Sequence, residues 1–323
     1  MTSAEHSHIC VVVPVFNEEA VLGTFHSRLS AVLNQIDIPS TIFYVDDGST
    51  DTTPAMLSDL LAKDERVGVI TLSRNFGHDM ALTAGIDLAD GDAVIVMDAD
   101  GQDPPEIIPE LVARWLEGYD VVFGTRVSRE GESLAKRVSA SMFYRLMNKV
   151  SNPRIPADTG DFRLLSRRAA DALKHVRERQ RYLKGLFAWI GYRQTSVPYT
   201  REPRIAGNTK WSYWRLWNYA LDGLTAFTTA PLRLATYLGL ITAFGAFIYG
   251  AVIIVRTLFY GNPVAGYPSL MVVILFLGGI QLVAIGIIGE YLGRLFNESK
   301  KRPLYLVESI RPARVAARIH SDA

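Results

Sequence analysis

Residues 93–106 read AVIVMDADGQDPPE. Five apolar residues, three of them β-branched, run straight into a cluster of carboxylates. A short continuous apolar run of this kind predicts a strand buried on both faces. The same punctuation recurs along the first half of the chain. Residues 9–15 (ICVVVPV) end at Phe16-Asn17-Glu18, and residues 41–45 end at Asp46-Asp47-Gly48. Residues 67–72 end at Ser73-Arg74-Asn75, and residues 121–123 at Gly124-Thr125-Arg126. Helical patterns fill 19–35, 52–63, 78–89 and 105–117 between them. Buried strands alternating with helices predict an α/β fold, a mostly parallel sheet with helices on both faces. In such sheets the ligand crevice lies outside the carboxyl ends of the strands, where the polar residues collect here.

Composition narrows the function. The 323 residues are 49% hydrophobic and 21% charged, which excludes a disordered chain. Lys and Arg number 34 against 33 Asp and Glu, so no whole-chain electrostatic grip on nucleic acid is expected. One cysteine, Cys10, at the entry of the first strand, excludes an intrachain disulfide framework and reads as packing. No G-x-G-x-x-G follows the first strand and no P-loop is present, which removes the usual dinucleotide and NTPase readings.

The strand ends could carry chemistry. In an extended segment Asp98 and Asp100 face the same way and can approach one hard cation, with Gln102 and Asp103 close behind. Turn chemistry explains the same residues equally well. Asp47 could accept N–H groups of a nucleobase, with Gly48 allowing close backbone approach; a plain turn is again the alternative.

The last third has another character. No charged residue occurs in 234–255 or in 257–289, and Gly and Pro between 261 and 268 divide the two runs. Each is long enough to span a bilayer core of ~30 Å. Arg201, Arg204, Lys210, Arg215 and Arg233 precede the first run, and Arg294, Lys300, Lys301 and Arg302 follow the second. The positive-inside rule places both termini in the cytoplasm and the short loop outside. Residues 9–15 are too short for a signal peptide and lack a basic leader. Residues 211–227 hold three of the five Trp residues and read as an amphipathic helix at headgroup level. The expected organisation is a cytoplasmic catalytic domain over 1–210 and a juxtamembrane helix over 211–230. Two membrane helices over 231–292 and a cytoplasmic tail over 293–323 complete it. In that tail Arg311, Arg314 and Arg318 could face either a neighbouring subunit or the anionic leaflet.

Taken together, VVVPVFNEE (11–19), VDDGSTD (45–51) and MDADGQDPPE (97–106) resemble the inverting family 2 glycosyltransferases with the Rossmann-like GT-A fold. Asn75-Phe76-Gly77, Phe123-Gly124-Thr125-Arg126 and Asp158-Thr159-Gly160-Asp161-Phe162-Arg163 narrow the likeness to the polyprenyl-phosphate branch. That branch includes dolichol-phosphate mannose synthases and bacterial bactoprenol (undecaprenyl-phosphate) glucosyltransferases. The two C-terminal runs, ending in Gly289-Glu290-Tyr291-Leu292-Gly293-Arg294, are similar to the latter. The resemblance covers about residues 9–305.

The resemblance implies roles. Pro14, Phe16, Glu18 and Asp47 match nucleotide-binding positions; Phe16 stands where relatives often carry Tyr. Asp98 matches the sugar- or ribose-side carboxylate, Asp100 and Gln102 the positions that hold Mg²⁺ or Mn²⁺, and Asp161 the catalytic base. Arg126, Arg137 and Ser141 match the acceptor-phosphate group, and Arg204 and Lys210 a basic loop over the diphosphate. The implied reaction moves a sugar, glucose from UDP-glucose foremost, to undecaprenyl phosphate at the inner membrane, in an enzyme that forms tetramers. A GDP-mannose-dependent mannose synthase and a non-catalytic membrane sensor of nucleotide sugars are the rival readings. A processive polysaccharide synthase is disfavoured, since Gln180-Arg181 is followed by Tyr182-Leu183 and no Q-x-x-R-W occurs.

Overall fold

The computed structural model describes residues 7–127, 159–179, 181–202, 228–260 and 266–315. The chain forms two compact units, Met1–Ala220 with Arg302–Ala323 and Leu221–Lys301. The first is built on an eight-stranded sheet. Its strands are β1 (Ile9–Val15), β2 (Ser40–Asp46), β3 (Val67–Leu72), β4 (Ala93–Val96), β5 (Val121–Arg126), β6 (Thr159–Ser166), β7 (Gln194–Tyr199) and β8 (Val307–Arg311). They lie in the order β7-β5-β6-β4-β1-β2-β3-β8. The central strands β4, β1, β2 and β3 are parallel, as the apolar runs predict. β6 runs antiparallel between β4 and β5, and β8 runs antiparallel on β3.

Helices α1 (Leu22–Leu33), α2 (Thr53–Lys63), α3 (His78–Leu88) and α4 (Ile108–Leu116) follow the first four strands, and α5 (Arg167–His175) and α6 (Leu183–Trp189) come later. Alternation along β1 sorts the two faces of the sheet. Ile9, Val11, Val13 and Val15 share one core with Leu22, Phe25 and Leu29 of α1 and Ile108, Leu111 and Trp115 of α4. On the other face Val12 meets α3. A Cβ at Gly85 would lie 2.2 Å from Val12 Cγ1, so the absent side chain sets how closely α3 approaches the sheet. Cys10 is fully buried, as packing requires, and burial pushes its thiol up to about 11.

β8 corrects one expectation about the tail. Arg311 donates to Ser58 Oγ at 2.9 Å, and Arg314 to the carbonyls of Leu61 and Ala62 at 3.0 and 2.7 Å. These two arginines therefore grip α2 of their own chain; Arg318 lies outside the described residues. The strand covers an edge that would otherwise expose unpaired backbone groups.

The second unit contains two long helices, α7 (Ala230–Tyr260) and α8 (Tyr267–Ser299). Both are long and apolar enough to cross a membrane, with mean hydropathies of 2.3 and 2.6 over their most apolar windows. Those windows are not buried by protein. Within the unit, the Tyr291 hydroxyl donates to the Thr228 carbonyl at 2.7 Å. The Trp-rich stretch 211–227 lies outside the described residues.

The contact at Gly85 gives the first prediction. Gly85→Ala should lower stability by about 1–3 kcal/mol through overpacking against Val12. Thermal unfolding of the detergent-solubilised protein checks it, and an unchanged melting temperature would show that α3 shifts freely.

Candidate functional site

In chain order the sheet runs outward from β1 to β3, then returns to the other side of β1 with β4. The switch point therefore lies between β1 and β4, and open α/β sheets place their ligand crevice at the carboxyl ends of the strands there. Register decides what lines it. Val15 pairs with Asp46, and Val96 pairs with Arg163 of the antiparallel β6. Two residues beyond Val96 is Asp98, and two before Arg163 is Asp161. The antiparallel pairing thus brings Asp161 across to face Asp98.

The loops beyond β1, β2 and β3 are knitted together. Asn17, in the left-handed region (φ 54°), accepts from Thr50 N at 2.8 Å, and its own N–H donates to Ser49 Oγ at 3.0 Å. Glu18 N donates to Thr53 Oγ1 at 3.0 Å, while Pro14 is buried within β1. Asp47 accepts from the N–H groups of Phe76 and Gly77 at 2.7 and 2.9 Å. Burial raises its pKa against those two bonds. Its carboxylate therefore fixes the turn entering α3. Gly48 sits at φ 73°, and a Cβ there would lie 2.8 Å from the backbone of Arg74 and Asn75.

That turn delivers a residue the sequence reading overlooked. His78, first in α3, places Nε2 2.7 Å from Asp98 Oδ1 and Nδ1 3.5 Å from Asp79 Oδ1. Desolvation in the crevice acts to lower the imidazole pKa, but the carboxylates of Asp98 and Asp79 outweigh it and hold it well above its usual value. For Asp98 the balance is the mirror image: burial raises, and the His78 imidazolium overrides it and lowers. Its position directly after Asn75-Phe76-Gly77 was the available signal.

Ligand atoms of His78, Asp98 and Asp161 all lie within 4.8 Å of one another. Asp161 Oδ1 is buried and has no hydrogen-bond partner among the described residues. Two carboxylates with an orphaned oxygen, beside Asp100, fit a hard divalent cation. Asp100 Oδ1 accepts from Gln102 N at 3.0 Å, and the Gln102 side-chain oxygen accepts from Arg201. Gln102 would have to exchange Arg201 for a metal to act as a ligand.

On the far side of Asp161 stands Arg126, at the end of β5. Its Nε donates to the Tyr199 hydroxyl at 3.4 Å, and that hydroxyl donates to Asp103. Burial and then the charge of Asp98 push Asp103 up to about 6. Arg163, 4% exposed, donates to the Gly160 carbonyl at 2.7 Å and stacks 3.7 Å from the Phe187 ring centroid. It braces the start of β6, where Asp161 lies. The structure thus brings Pro14, Phe16, Glu18, Asp47, Asp98, Asp100, Gln102, Arg126 and Asp161 to one edge of the sheet. Arg137, Ser141, Arg204 and Lys210 lie outside the described residues.

Comparison with known proteins identifies the domain that carries these strand-end carboxylates as a glycosyltransferase. The profile of glycosyl transferase family 2 matches residues 10–174, and that of the GtrB C-terminal hairpin matches residues 230–295. The chain belongs to glycosyl transferase family 2. It is similar to an uncharacterised glycosyltransferase of Synechocystis, at 50% identity over 94% of this chain and 95% of that protein. It is 46% identical to the prophage bactoprenol glucosyl transferase homolog of Escherichia coli K12, over 94% and 99% of the two chains. The bactoprenol glucosyl transferase of Shigella phage SfV is also 46% identical, over 93% and 98%.

The ion pair at the mouth of α3 gives the second prediction. A protonated His78 contributes stability that is complete below its unfolded pKa of about 6.5 and is lost as pH rises through its raised folded pKa. The melting temperature of the wild type should therefore fall relative to that of His78→Gln as pH rises above about 6.5. Parallel curves would show that no imidazolium faces Asp98.

Proposed function

We propose that this chain transfers glucose from UDP-glucose to undecaprenyl phosphate, with inversion at the anomeric carbon, on the cytoplasmic leaflet of the inner membrane. The observation that carries this reading is a combination within one chain. A crevice of strand-end carboxylates that suits a nucleotide sugar accompanies two helices apolar enough to enter the bilayer. A hydrophilic donor and a lipid acceptor need both. The bactoprenol glucosyl transferases that match almost end to end favour glucose and this lipid.

The roles follow from position. Asp47, with Pro14, Phe16 and Glu18 at the end of β1, faces the nucleotide. Asp98 faces the sugar, oriented by His78 at 2.7 Å. Asp100 would hold Mg²⁺ or Mn²⁺ beside the Asp98 and Asp161 carboxylates, with Gln102 joining only on releasing Arg201. When bound, that cation supplies positive charge to offset the charge growing on the leaving diphosphate. Arg204 and Lys210 add to it, and Arg126 with Arg137 and Ser141 takes the acceptor phosphate.

One phosphate oxygen of the acceptor attacks the anomeric carbon as the bond from that carbon to the diphosphate oxygen breaks, and UDP departs. A phosphate monoester has its second pKa near ~6, so most of the nucleophile is already dianionic at neutral pH. Asp161 therefore orients the acceptor and takes its residual proton when one is present. The hydrocarbon tail stays in the bilayer, since each CH₂ withdrawn costs about 0.8 kcal/mol. The hairpin brings the enzyme to the phosphate instead, and the family resemblance points to a tetramer as the working form.

Purified enzyme supplied in parallel with UDP-glucose and GDP-mannose, and with undecaprenyl phosphate, should transfer glucose alone. EDTA and Asp100→Asn should each abolish transfer. Mannose transfer would move the assignment to the mannose synthases, and nucleotide binding without turnover to a sensor. Asp161→Asn should lose more activity at about pH 6, where the acceptor carries a proton, than at about pH 8. An equal loss at both values would remove proton transfer from the role of Asp161.

A further inference from the structure

We infer that Tyr199, braced by Asp103, is the positioning residue for the Arg126 guanidinium and, through it, for the acceptor's phosphate. The inference rests on the acceptor-phosphate role proposed for Arg126. Neither Tyr199 nor Asp103 belongs to the group of residues expected to touch substrate.

The placement is set by the sheet. Tyr199 ends β7, and its backbone pairs with that of Arg126 at the end of β5. Both Tyr199 and Asp103 are buried, at 3% and 2% exposure, so neither is a surface contact that solvent could replace. The tyrosine ring has no room to move. A Cβ at Gly124 would lie 2.6 Å from its Cε1, and the Phe162 ring meets it edge-on at 6.0 Å and 88°. The hydroxyl is therefore held at one point. It donates its proton to Asp103, and its oxygen accepts from Arg126 Nε at 3.4 Å.

The consequence lies in which nitrogen is tethered. Binding through Nε leaves the two terminal nitrogens, which hydrogen-bond nothing among the described residues, as an end-on fork. That fork matches two oxygens of a phosphate. The space beside it is gauged as well: a Cβ at Gly160 would lie 3.0 Å from Arg126 Nη2. Gly160 also precedes Asp161, so the proposed proton acceptor and the proposed phosphate fork are both set by the start of β6. A flexible arginine would lose part of its attraction in ordering its side chain. Here that ordering is complete before the acceptor arrives.

A merely structural tyrosine would, when altered, disturb donor and acceptor alike. Tyr199→Phe removes only the hydroxyl and keeps the ring between Gly124 and Phe162. It should raise KM for undecaprenyl phosphate about tenfold, as loss of one hydrogen bond to a charged group implies, and leave KM for UDP-glucose unchanged. Gly160→Ala, which crowds Nη2 without touching the tyrosine, should shift the same constant in the same direction. Arg126→Lys should raise the acceptor KM at least as far, and adding Tyr199→Phe to it should cost nothing more, because the tethered group is already gone. An unchanged acceptor KM in Tyr199→Phe, or equal shifts for donor and acceptor, overturns the inference while the transferase reading stands. An unchanged acceptor KM in Arg126→Lys, or a wild type that moves no sugar to the lipid, defeats the underlying reading and this inference with it.

Discussion

The pairing of Val96 with Arg163 is the constraint on which the site depends. Strands β1, β2 and β4 all point their carboxyl ends the same way, and by themselves they line only one wall of the crevice. β6 enters from the opposite direction, so its amino end reaches the same edge and supplies the facing carboxylate. A slip of one residue would turn Asp161 to the other face of the sheet and bring Phe162 into its place. The register is guarded on both sides. Phe162, Leu164 and Leu165 are fully buried, and Arg163 is anchored on Phe187 and the Gly160 carbonyl. A buried arginine in a central strand is costly unless fully engaged. Here its hydrogen bonds to the Gly160 and Asp161 carbonyls hold the start of β6 in place.

Charge explains the rest of the arrangement. Asp47, Asp98, Asp100, Asp103 and Asp161 crowd one strand edge, and carboxylates in such company repel one another. His78 sits against Asp98, while Lys184 and Arg126 add favourable charge from further off. A crevice this acidic cannot take a diphosphate unaided. Positive charge must come with the donor, which suits the divalent cation of the proposed reaction. In the proposed reaction the tethered Arg126 serves the second anion, the acceptor phosphate. Two negative partners can then meet without sharing one counter-charge.

Much of this was legible in the sequence because burial on both faces leaves a plain trace. β1 to β5 each begin within a residue of an apolar run, and α1 to α4 fall inside the helical patterns read for them. Three strands left no such trace. β6 carries Asp161 and Arg163 among its first five residues, which breaks the apolar run. β7 is QTSVPY, polar and interrupted by Pro198, and β8 is a five-residue edge strand, VESIR. Each is specified by its neighbours in the sheet and not by its own pattern. Motif residues at strand ends were legible, and the structure gathers those it describes. His78 and Tyr199 were not, because their partners lie 20 and 96 residues away, and only the sheet brings them together. The two long apolar helices α7 and α8 were legible from the absence of charge alone.

The central claim is that a nucleotide sugar lies in the crevice between β1 and β4 with its sugar toward β6. The most direct measurement is a structure of the enzyme with UDP-glucose and Mn²⁺, using Asp161→Asn to prevent turnover. The account predicts the uracil on the Asp47 side and the glucose between Asp98 and residue 161, with its anomeric carbon open toward Arg126. A donor bound elsewhere, or seated with its sugar turned away from residue 161, would contradict it.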